Sequence, residues 1–133
     1  MHERTVTVTA SASPKLRNSV ACGPHALVAD EPLAAGGTDE GPMPFELLAA
    51  ALGACTNMTL RLYADRKGYP LEGLEVTLEQ RVEGLERHVV RVITLRGALD
   101  PDARARLLEI ANKCPVHRAL EGSRVHVETR LAD

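Results

Sequence analysis

Aromatic residues are nearly absent from this sequence. Its 133 residues include no tryptophan, one phenylalanine and two tyrosines, which together make up 2% of the chain. Aromatic side chains supply the stacking surfaces for single-stranded nucleic acid, so their scarcity argues against such a partner. A formal net charge of −2, with acids and bases interleaved, also leaves no basic surface for nucleic acid. The core must therefore be built from leucine, valine and alanine.

Long hydrophobic runs are also missing. No segment approaches the ~18 consecutive apolar residues of a membrane-spanning helix. The first ten residues, MHERTVTVTA, lack the apolar run of a secretory signal. We therefore expect a cytoplasmic protein that does not bind membranes. With 44% apolar and 26% charged residues, the chain is expected to fold as one domain over residues 1–133.

Cysteine is scarce, with residues only at positions 22, 55 and 114. In a reducing compartment such thiols serve as buried side chains, redox groups or metal ligands rather than as structural disulfides. Cys22 to His25 and Cys114 to His117 both read C-x-x-H, and four such ligands would suit zinc. Most of the domain separates the two pairs, so no metal is expected. The other three histidines are expected to be solvated: His2, His88 and His126.

The stretch Gly41–Lys67 predicts one long helix, running from Phe45 to Lys67. Pro44 suits its first turn, where a missing N–H costs nothing, and Glu46 complements the helix dipole there. Gly68 can supply a left-handed cap at the other end. At about 1.5 Å per residue this helix spans roughly 33 Å, the width of a small domain. It is therefore expected to be the central helix.

A cysteine lies in the apolar half of this helix. Residues at intervals of four and three form one stripe: Leu48, Leu52, Cys55, Thr59 and Leu62. No charged residue occurs between Leu47 and Cys55 on any face, so protein should surround that half. Few other elements are available to cover it. A second subunit is expected to do so.

Apolar and polar residues alternate in several other segments, which predicts strands. The predicted strands Leu74–Val82 and His88–Leu95 form a hairpin, and the second of the two is expected to be the more buried. The predicted strands are Thr5–Ala10, Val20–Val28 with an interruption at Gly23-Pro24, Leu74–Val82, His88–Leu95 and a closing strand Val125–Leu131.

A second helix is predicted to open at Asp100, an N-cap followed by proline. One stripe along it is apolar and ends at a cysteine before Pro115: Ala103, Leu107, Ile110, Ala111 and Cys114. A further helical turn is expected over Val116–Leu120. Strands thus flank two helices without regular alternation, which indicates the α+β class with antiparallel sheets.

Cys55 and Cys114 each lie on the inward stripe of a helix, so their sulfurs can face each other if the helices pack together. Such a pair can cycle through a sulfenic acid and a disulfide. The attacking thiolate would need a cation, for which Arg17 is a candidate with Glu46 to orient it. Alternatively, both cysteines are small buried hydrophobic side chains. Spacing alone favours this alternative, because no C-x-x-C motif is present.

Two segments carry a family resemblance. The run DEPLAAGGTDEGPMPFELLAAALGACTNMTLRLYADRKGYPL, followed by KCPVHRAL, resembles the OsmC/Ohr family, that is, osmotically inducible protein C and organic hydroperoxide resistance protein. The resemblance covers nearly the whole chain. It implies an OsmC-like fold with antiparallel sheets around the cysteine helix, in an intertwined homodimer whose sites lie at the subunit interface.

The resemblance also implies an activity. It is that of a thiol-dependent peroxidase of organic hydroperoxides in oxidative-stress defence, with Cys55 as the peroxidatic thiolate and Cys114 as the resolving thiol. Arg17 is the best match to the family's activating arginine, and Glu46 is the carboxylate that follows the proline, one position later than in the family. The reductant implied is an external dithiol, such as a lipoyl group on a protein, with no metal, haem or flavin.

One local departure from the family pattern leaves an alternative open. Peroxidase branches read P-E-x-L, whereas here Phe45 separates Pro44 from Glu46 and turns the glutamate by about 100° around the helix. Arg17 lies in SPKLRNS, which matches the family loosely. The alternative function is an OsmC-like protein that binds a small molecule or electrophile and has weak or no peroxidase activity.

Overall fold

The computed structural model describes residues 3–132, so the prediction for His2 lies outside it. The chain divides into two compact units, Met1–Leu48 and Ala49–Asp133. The elements in chain order are β1 (Val6–Ala10), β2 (Asn18–Cys22), β3 (His25–Ala29), a short 3-10 helix (Leu33–Ala35), α1 (Pro44–Lys67), β4 (Gly73–Glu83), β5 (Glu86–Arg96), α2 (Pro101–Ala111) and α3 (Pro115–Glu121). This is a mixed α+β fold with two antiparallel sheets, as predicted.

The first unit contains a three-stranded antiparallel sheet in the order β1-β2-β3. The interruption predicted at Gly23-Pro24 is a tight turn, with Cys22 opposite His25 in the register. Gly23 adopts φ 58°, the left-handed region that favours glycine. The segment predicted as one interrupted strand is therefore a hairpin of two.

The loop between β3 and α1 is organised around a buried carboxylate. Asp30 is 2% exposed. Its Oδ2 accepts the hydroxyl of Thr38 at 2.6 Å and the N–H of Glu40 at 3.2 Å. Its Oδ1 accepts the N–H of Glu31 at 2.8 Å and that of Thr38 at 3.4 Å. These donors, the Thr38 hydroxyl first among them, lower the pKa of Asp30 from 3.8 to about 2.

Two glycines permit this loop to close. A Cβ at Gly37 would lie 2.0 Å from the carbonyl oxygen of Glu31, and one at Gly41 would lie 2.2 Å from that of Val28. No side chain fits at either distance. The glycine-rich character of this segment is therefore a requirement of close backbone approach.

Helix α1 begins and ends where its sequence predicts. Glu46 accepts the N–H of Met43 at 2.8 Å, which satisfies a donor in front of the first turn. At the other end the N–H of Gly68 bonds the carbonyl of Asp65 and that of Tyr69 bonds the carbonyl of Ala64, which is a Schellman motif. Gly68 takes φ 70°, as this motif requires.

The face of α1 that is buried differs from the predicted stripe. Leu62 is 69% exposed and Cys55 is only partly buried, whereas Leu52 and Leu60 are buried. The full buried set is Ala49, Leu52, Gly53, Thr56, Leu60, Tyr63 and Ala64. The buried face is thus rotated by about one residue, since Thr56 rather than Cys55 lies at its middle.

The second unit has its core between the C-terminal part of α1, the hairpin and α2. β4 and β5 pair antiparallel, with Gly73 opposite Arg96 and Glu83 opposite Glu86. A Cβ at Gly53 would lie 2.8 Å from Leu78, so α1 approaches β4 closely at this glycine. The core cluster is Leu60, Tyr63, Ala64, Leu71, Leu107, Ile110 and Ala111.

Helix α2 has the predicted Asp100 cap, whose carboxylate accepts the N–H of Ala103 at 2.7 Å. Its predicted stripe is buried throughout. Cys114 lies beyond the end of α2, which is at Ala111, and is the N-cap of α3 instead. The further turn predicted around Val116–Leu120 is α3.

Two strand predictions are wrong. The segment Val125–Leu131 forms no strand, and Val127 is 84% exposed. Alternation favours a strand only where an edge is available for pairing, and this segment pairs with none within residues 3–132. In the β4-β5 hairpin the second strand is not the more buried one, because Val90 and Val92 are exposed.

No helix within residues 3–132 is both long and apolar enough to cross a membrane.

Candidate thiol site

Two cysteines of the second unit meet between α1 and the start of α3. Cys55 lies on α1 and is partly buried, whereas Cys114 is fully buried. The two thiols are close enough to interact, and Cys114 raises the pKa of Cys55. The structure thus brings the two cysteines together, and their redox roles stay predictions.

Local geometry at Cys114 provides a further contact to Cys55. Pro115 begins α3 directly after Cys114, and the N–H of Val116 is in the first turn. N–H groups in the first turn of a helix have no partner within that helix. The N–H of Val116 bonds the sulfur of Cys55 instead, and the hydroxyl of Thr59 on α1 bonds it as well.

The net effect of these surroundings is to raise the pKa of Cys55 above its ordinary value. Burial has the largest effect, and the hydrogen bond with Cys114 acts in the same direction. The N–H of Val116 and the hydroxyl of Thr59 lower the pKa, but they do not compensate. The site in this chain therefore favours the neutral thiol.

An arginine that the sequence analysis missed lies beside the thiol pair. On β5, Arg91 Nη1 is 3.0 Å from Thr56 Oγ1, and Arg91 Nη2 is 3.1 Å from both Asn112 Oδ1 and His117 Nδ1. We refer to Arg91, Thr56, Asn112 and His117 as the Arg91 cluster. The sequence held a signal for this arginine, because alternation along β5 places Arg91 on the same half-buried face as Ile93 and Leu95.

The two residues expected to activate Cys55 both belong to the unit Met1–Leu48. Arg17 precedes β2, and its Nε lies 3.6 Å from Glu40 Oε2. Glu46 bonds the N–H of Met43 in the first turn of α1. The carboxylate beside Arg17 is thus Glu40 rather than the expected Glu46. The roles of Arg17 and Glu46 toward Cys55 stay predictions.

The two C-x-x-H pairs have separate surroundings. Cys22 and His25 flank the β2-β3 turn. His117 Nδ1 lies 3.1 Å from the guanidinium of Arg91, and the same nitrogen cannot also bind a metal ion. No group of three or more histidine, cysteine, aspartate or glutamate side chains within residues 3–132 is arranged to hold a metal ion.

Solved structures share this architecture. An OsmC-like protein from Mycoplasma pneumoniae is 15% identical and superposes with a TM-score of 0.80 over 92% of this chain and 90% of its own. OhrB, the organic hydroperoxide resistance protein of Bacillus subtilis, is 22% identical, with a TM-score of 0.65 over 91% and 92% of the two chains. The organic hydroperoxide resistance protein OsmC of Legionella pneumophila is 20% identical, with a TM-score of 0.68 over 92% of this chain and 91% of its own. The fold is therefore OsmC-like.

The sequence identifies the family as well as the fold. The model of the OsmC-like protein family matches residues 37–130, which include both cysteines and the Arg91 cluster. A search of curated protein sequences finds no match. The chain belongs to the OsmC family, as its cysteine motifs predicted.

Proposed function

We propose that this protein is a thiol-dependent peroxidase that reduces organic hydroperoxides in oxidative-stress defence. The observation that carries the proposal is that the Cys55 and Cys114 thiols are close enough to interact, since neighbouring sulfurs can become a disulfide with little movement. Family membership supports it, because relatives of the same fold include organic hydroperoxide resistance proteins.

The reaction has two steps. The Cys55 thiolate attacks the distal oxygen of ROOH, the O–O bond breaks, and the alcohol ROH leaves after taking a proton. Cys55 is then a sulfenic acid. The Cys114 sulfur attacks it, an S–S bond forms, the S–O bond breaks, and water departs with the proton of Cys114. An external dithiol, such as a protein-bound lipoyl group, reduces the disulfide and becomes oxidised itself.

Activation of Cys55 requires a group that this chain's thiol site does not supply, since its surroundings raise the pKa of the thiol. A cation within reach of the sulfur would lower the pKa. Arg17, with Glu46, is proposed for this role in an assembled homodimer. The Nε of Arg17 lies 3.6 Å from Glu40 Oε2 but makes no hydrogen bond, so it can donate one in a further interaction.

A homodimer is also supported by exposed apolar surface. Met58 and Leu62 on α1 are 65% and 69% exposed. The unpaired segment around Val127 and Leu131 adds further apolar side chains. Apolar surface of this extent on one helix and one extended segment is typical of an interface. An intertwined second copy would cover both.

A second function is favoured by one observation, the raised pKa of Cys55. A neutral thiol reacts poorly with peroxides. If no cation reaches Cys55 in the dimer, the alternative is a protein that binds a small molecule or electrophile at this site. Titration of the Cys55 thiol distinguishes the two functions, because a peroxidase requires a pKa below about 8.5 in the assembled protein.

The direct test is peroxide consumption with a dithiol present. Wild-type protein should reduce an organic hydroperoxide and form a Cys55–Cys114 disulfide that is detected by mass spectrometry without reductant. Cys55→Ser should abolish both, and Cys114→Ser should leave a sulfenic acid that a dimedone-type probe traps. The matched control is Cys22→Ser, which changes a thiol on β2 and should leave turnover unchanged. Full turnover by Cys55→Ser would refute the proposal.

A further inference from the structure

Arg91 connects the segments that carry the two cysteines. Thr56, which accepts from its Nη1, is the residue directly after Cys55 on α1. Asn112 and His117, which face its Nη2, flank Cys114 in the connection from α2 to α3. One side chain on β5 thus contacts both sides of the thiol pair.

The hydrogen-bond directions within the Arg91 cluster are fixed by its chemistry. A guanidinium only donates, so Thr56 Oγ1 must accept from it. The hydroxyl proton of Thr56 goes to the carbonyl of Leu52, at 2.7 Å. His117 Nδ1 must also accept from the guanidinium, which assigns the ring N–H to Nε2. Thr56, Asn112 and His117 therefore each present an acceptor to the guanidinium of Arg91.

The segment that holds Cys114 depends on such contacts for its position. Cys114 lies between two helices, after the cap of α2 and before Pro115. Its carbonyl accepts the N–H of Arg118 in the first turn of α3 at 3.0 Å, and its own N–H lies 3.4 Å from the carbonyl of Ala111. These bonds hold the backbone of Cys114, and the side chains of Asn112 and His117 connect the two flanks of this segment to Arg91.

We propose that Arg91 is a positioning residue for the Cys55–Cys114 pair, which holds the α2-α3 connection on α1 through Thr56, Asn112 and His117. Disulfide formation tolerates only a narrow range of Cα separations, about 4.4–6.8 Å. Arg91 supplies the restraint that keeps the two sulfurs together. Its role in turnover rests on the proposed peroxidase function, but its effect on the thiol pair does not.

The first test measures how readily the two thiols pair, without peroxide. In a Cys22→Ser background, the protein is equilibrated with glutathione redox buffers. Oxidised glutathione accepts two electrons as the disulfide forms, and two reduced glutathiones are released. Alkylation and mass spectrometry give the effective concentration of the pair. Arg91→Met should lower it roughly tenfold to a hundredfold, since small misplacements of reacting groups cost this much.

The matched control for this substitution is Arg96→Met. Arg96 lies on the same strand, is largely exposed and faces Glu75 at 3.9 Å. Its loss removes a similar side chain without touching the thiol pair. The effective concentration should equal that of the wild type. An equal fall in both variants would mean that β5 charge or stability, and not the Arg91 cluster, controls the pair, and would overturn the proposal.

A second test separates positioning from activation. After a pulse of organic hydroperoxide, a dimedone-type probe measures sulfenic acid formation at Cys55 and mass spectrometry measures closure of the disulfide. Arg91→Met should leave the first rate within about twofold and slow the second roughly tenfold or more. Equal slowing of both steps would mean that Arg91 acts on the Cys55 thiol itself, and would overturn the positioning role.

The His117 contact provides variants at a half-buried position, in case Arg91→Met does not fold. His117→Asn retains an acceptor for Arg91, whereas His117→Leu removes it. The leucine variant should lower the effective concentration several-fold, and the asparagine variant should retain most of it. Identical values for the two variants would contradict the proposal. If wild-type protein does not consume peroxide, the peroxidase function fails while these redox equilibria still decide the role of Arg91.

Discussion

Asp30 in the first unit and Cys55 in the second are both ionisable and shielded at least in part from water, and their surroundings affect the two groups in opposite ways. Asp30 receives four hydrogen bonds, and its pKa falls to about 2. Cys55 receives two from Val116 and Thr59, and burial together with Cys114 raises its pKa. The loop of the first unit therefore stabilises an anion, whereas the thiol site of the second unit stabilises a neutral group.

The difference follows from the number and kind of donors at each group. Backbone N–H groups and a hydroxyl converge on Asp30 because the loop folds around it. At Cys55 the neighbouring group of greatest effect is another thiol, which favours the protonated form. Burial alone thus does not determine the charge state. A shielded group is ionised where hydrogen bonds stabilise its charged form by more than desolvation destabilises it.

The largest expected effect concerns the carboxylate. Asp30→Asn should lower the Tm by several degrees, because an amide presents a donor to groups that themselves donate. The lowered pKa means that Asp30 contributes its stability fully above pH 3.8 and loses it as the pH falls toward 2. The difference in Tm between wild type and variant should therefore be constant near neutral pH and shrink below pH 3.8. A difference that persists at pH 2 would mean that the charge is not what matters.

A smaller effect is expected from removing the second thiol. Cys114→Ala should lower the pKa of Cys55, since the hydrogen bond and the charge of Cys114 both raise it. The measurement is the pH dependence of Cys55 alkylation in a Cys22→Ser background. If the pKa instead rises, Cys114 donates to the Cys55 thiolate, and the contrast with Asp30 would weaken.

The smallest effect is expected at Thr59. Thr59→Val keeps the shape of the side chain but removes a hydroxyl that lowers the pKa of Cys55, so the pKa should rise further. Thr59→Ser retains the hydroxyl and is the matched control. The same alkylation titration compares the two variants. Equal pKa values would show that this hydroxyl does not reach the sulfur.

Capping residues made much of the fold predictable. Pro44, Gly68 and Asp100 predicted the ends of the helices to within one residue, because caps act through hydrogen bonds to the adjacent turn. The α2 stripe was correct as well. The α1 stripe was displaced, since an apolar helix offers several faces and packing chooses among them. The single domain over residues 1–133 stays a prediction.

The candidate site was predictable only in part. Cys55 and Cys114 were found from helix periodicity and assigned roles from the family resemblance. The Arg91 cluster was not found, because its contacts join residues 35, 21 and 26 positions apart. The closing strand was predicted but is not formed, since a strand needs a neighbouring edge that an alternating pattern does not provide.

The sequence by itself determined where α1 begins and ends, where α2 begins, and that the chain belongs to the OsmC family. These properties depend on residues that are close together along the chain. Only the tertiary structure decided that the two thiols are close enough to interact, that Cys55 favours its neutral form, and that Arg91 contacts both flanks of the pair. Contacts and pKa values depend on which distant side chains meet after packing.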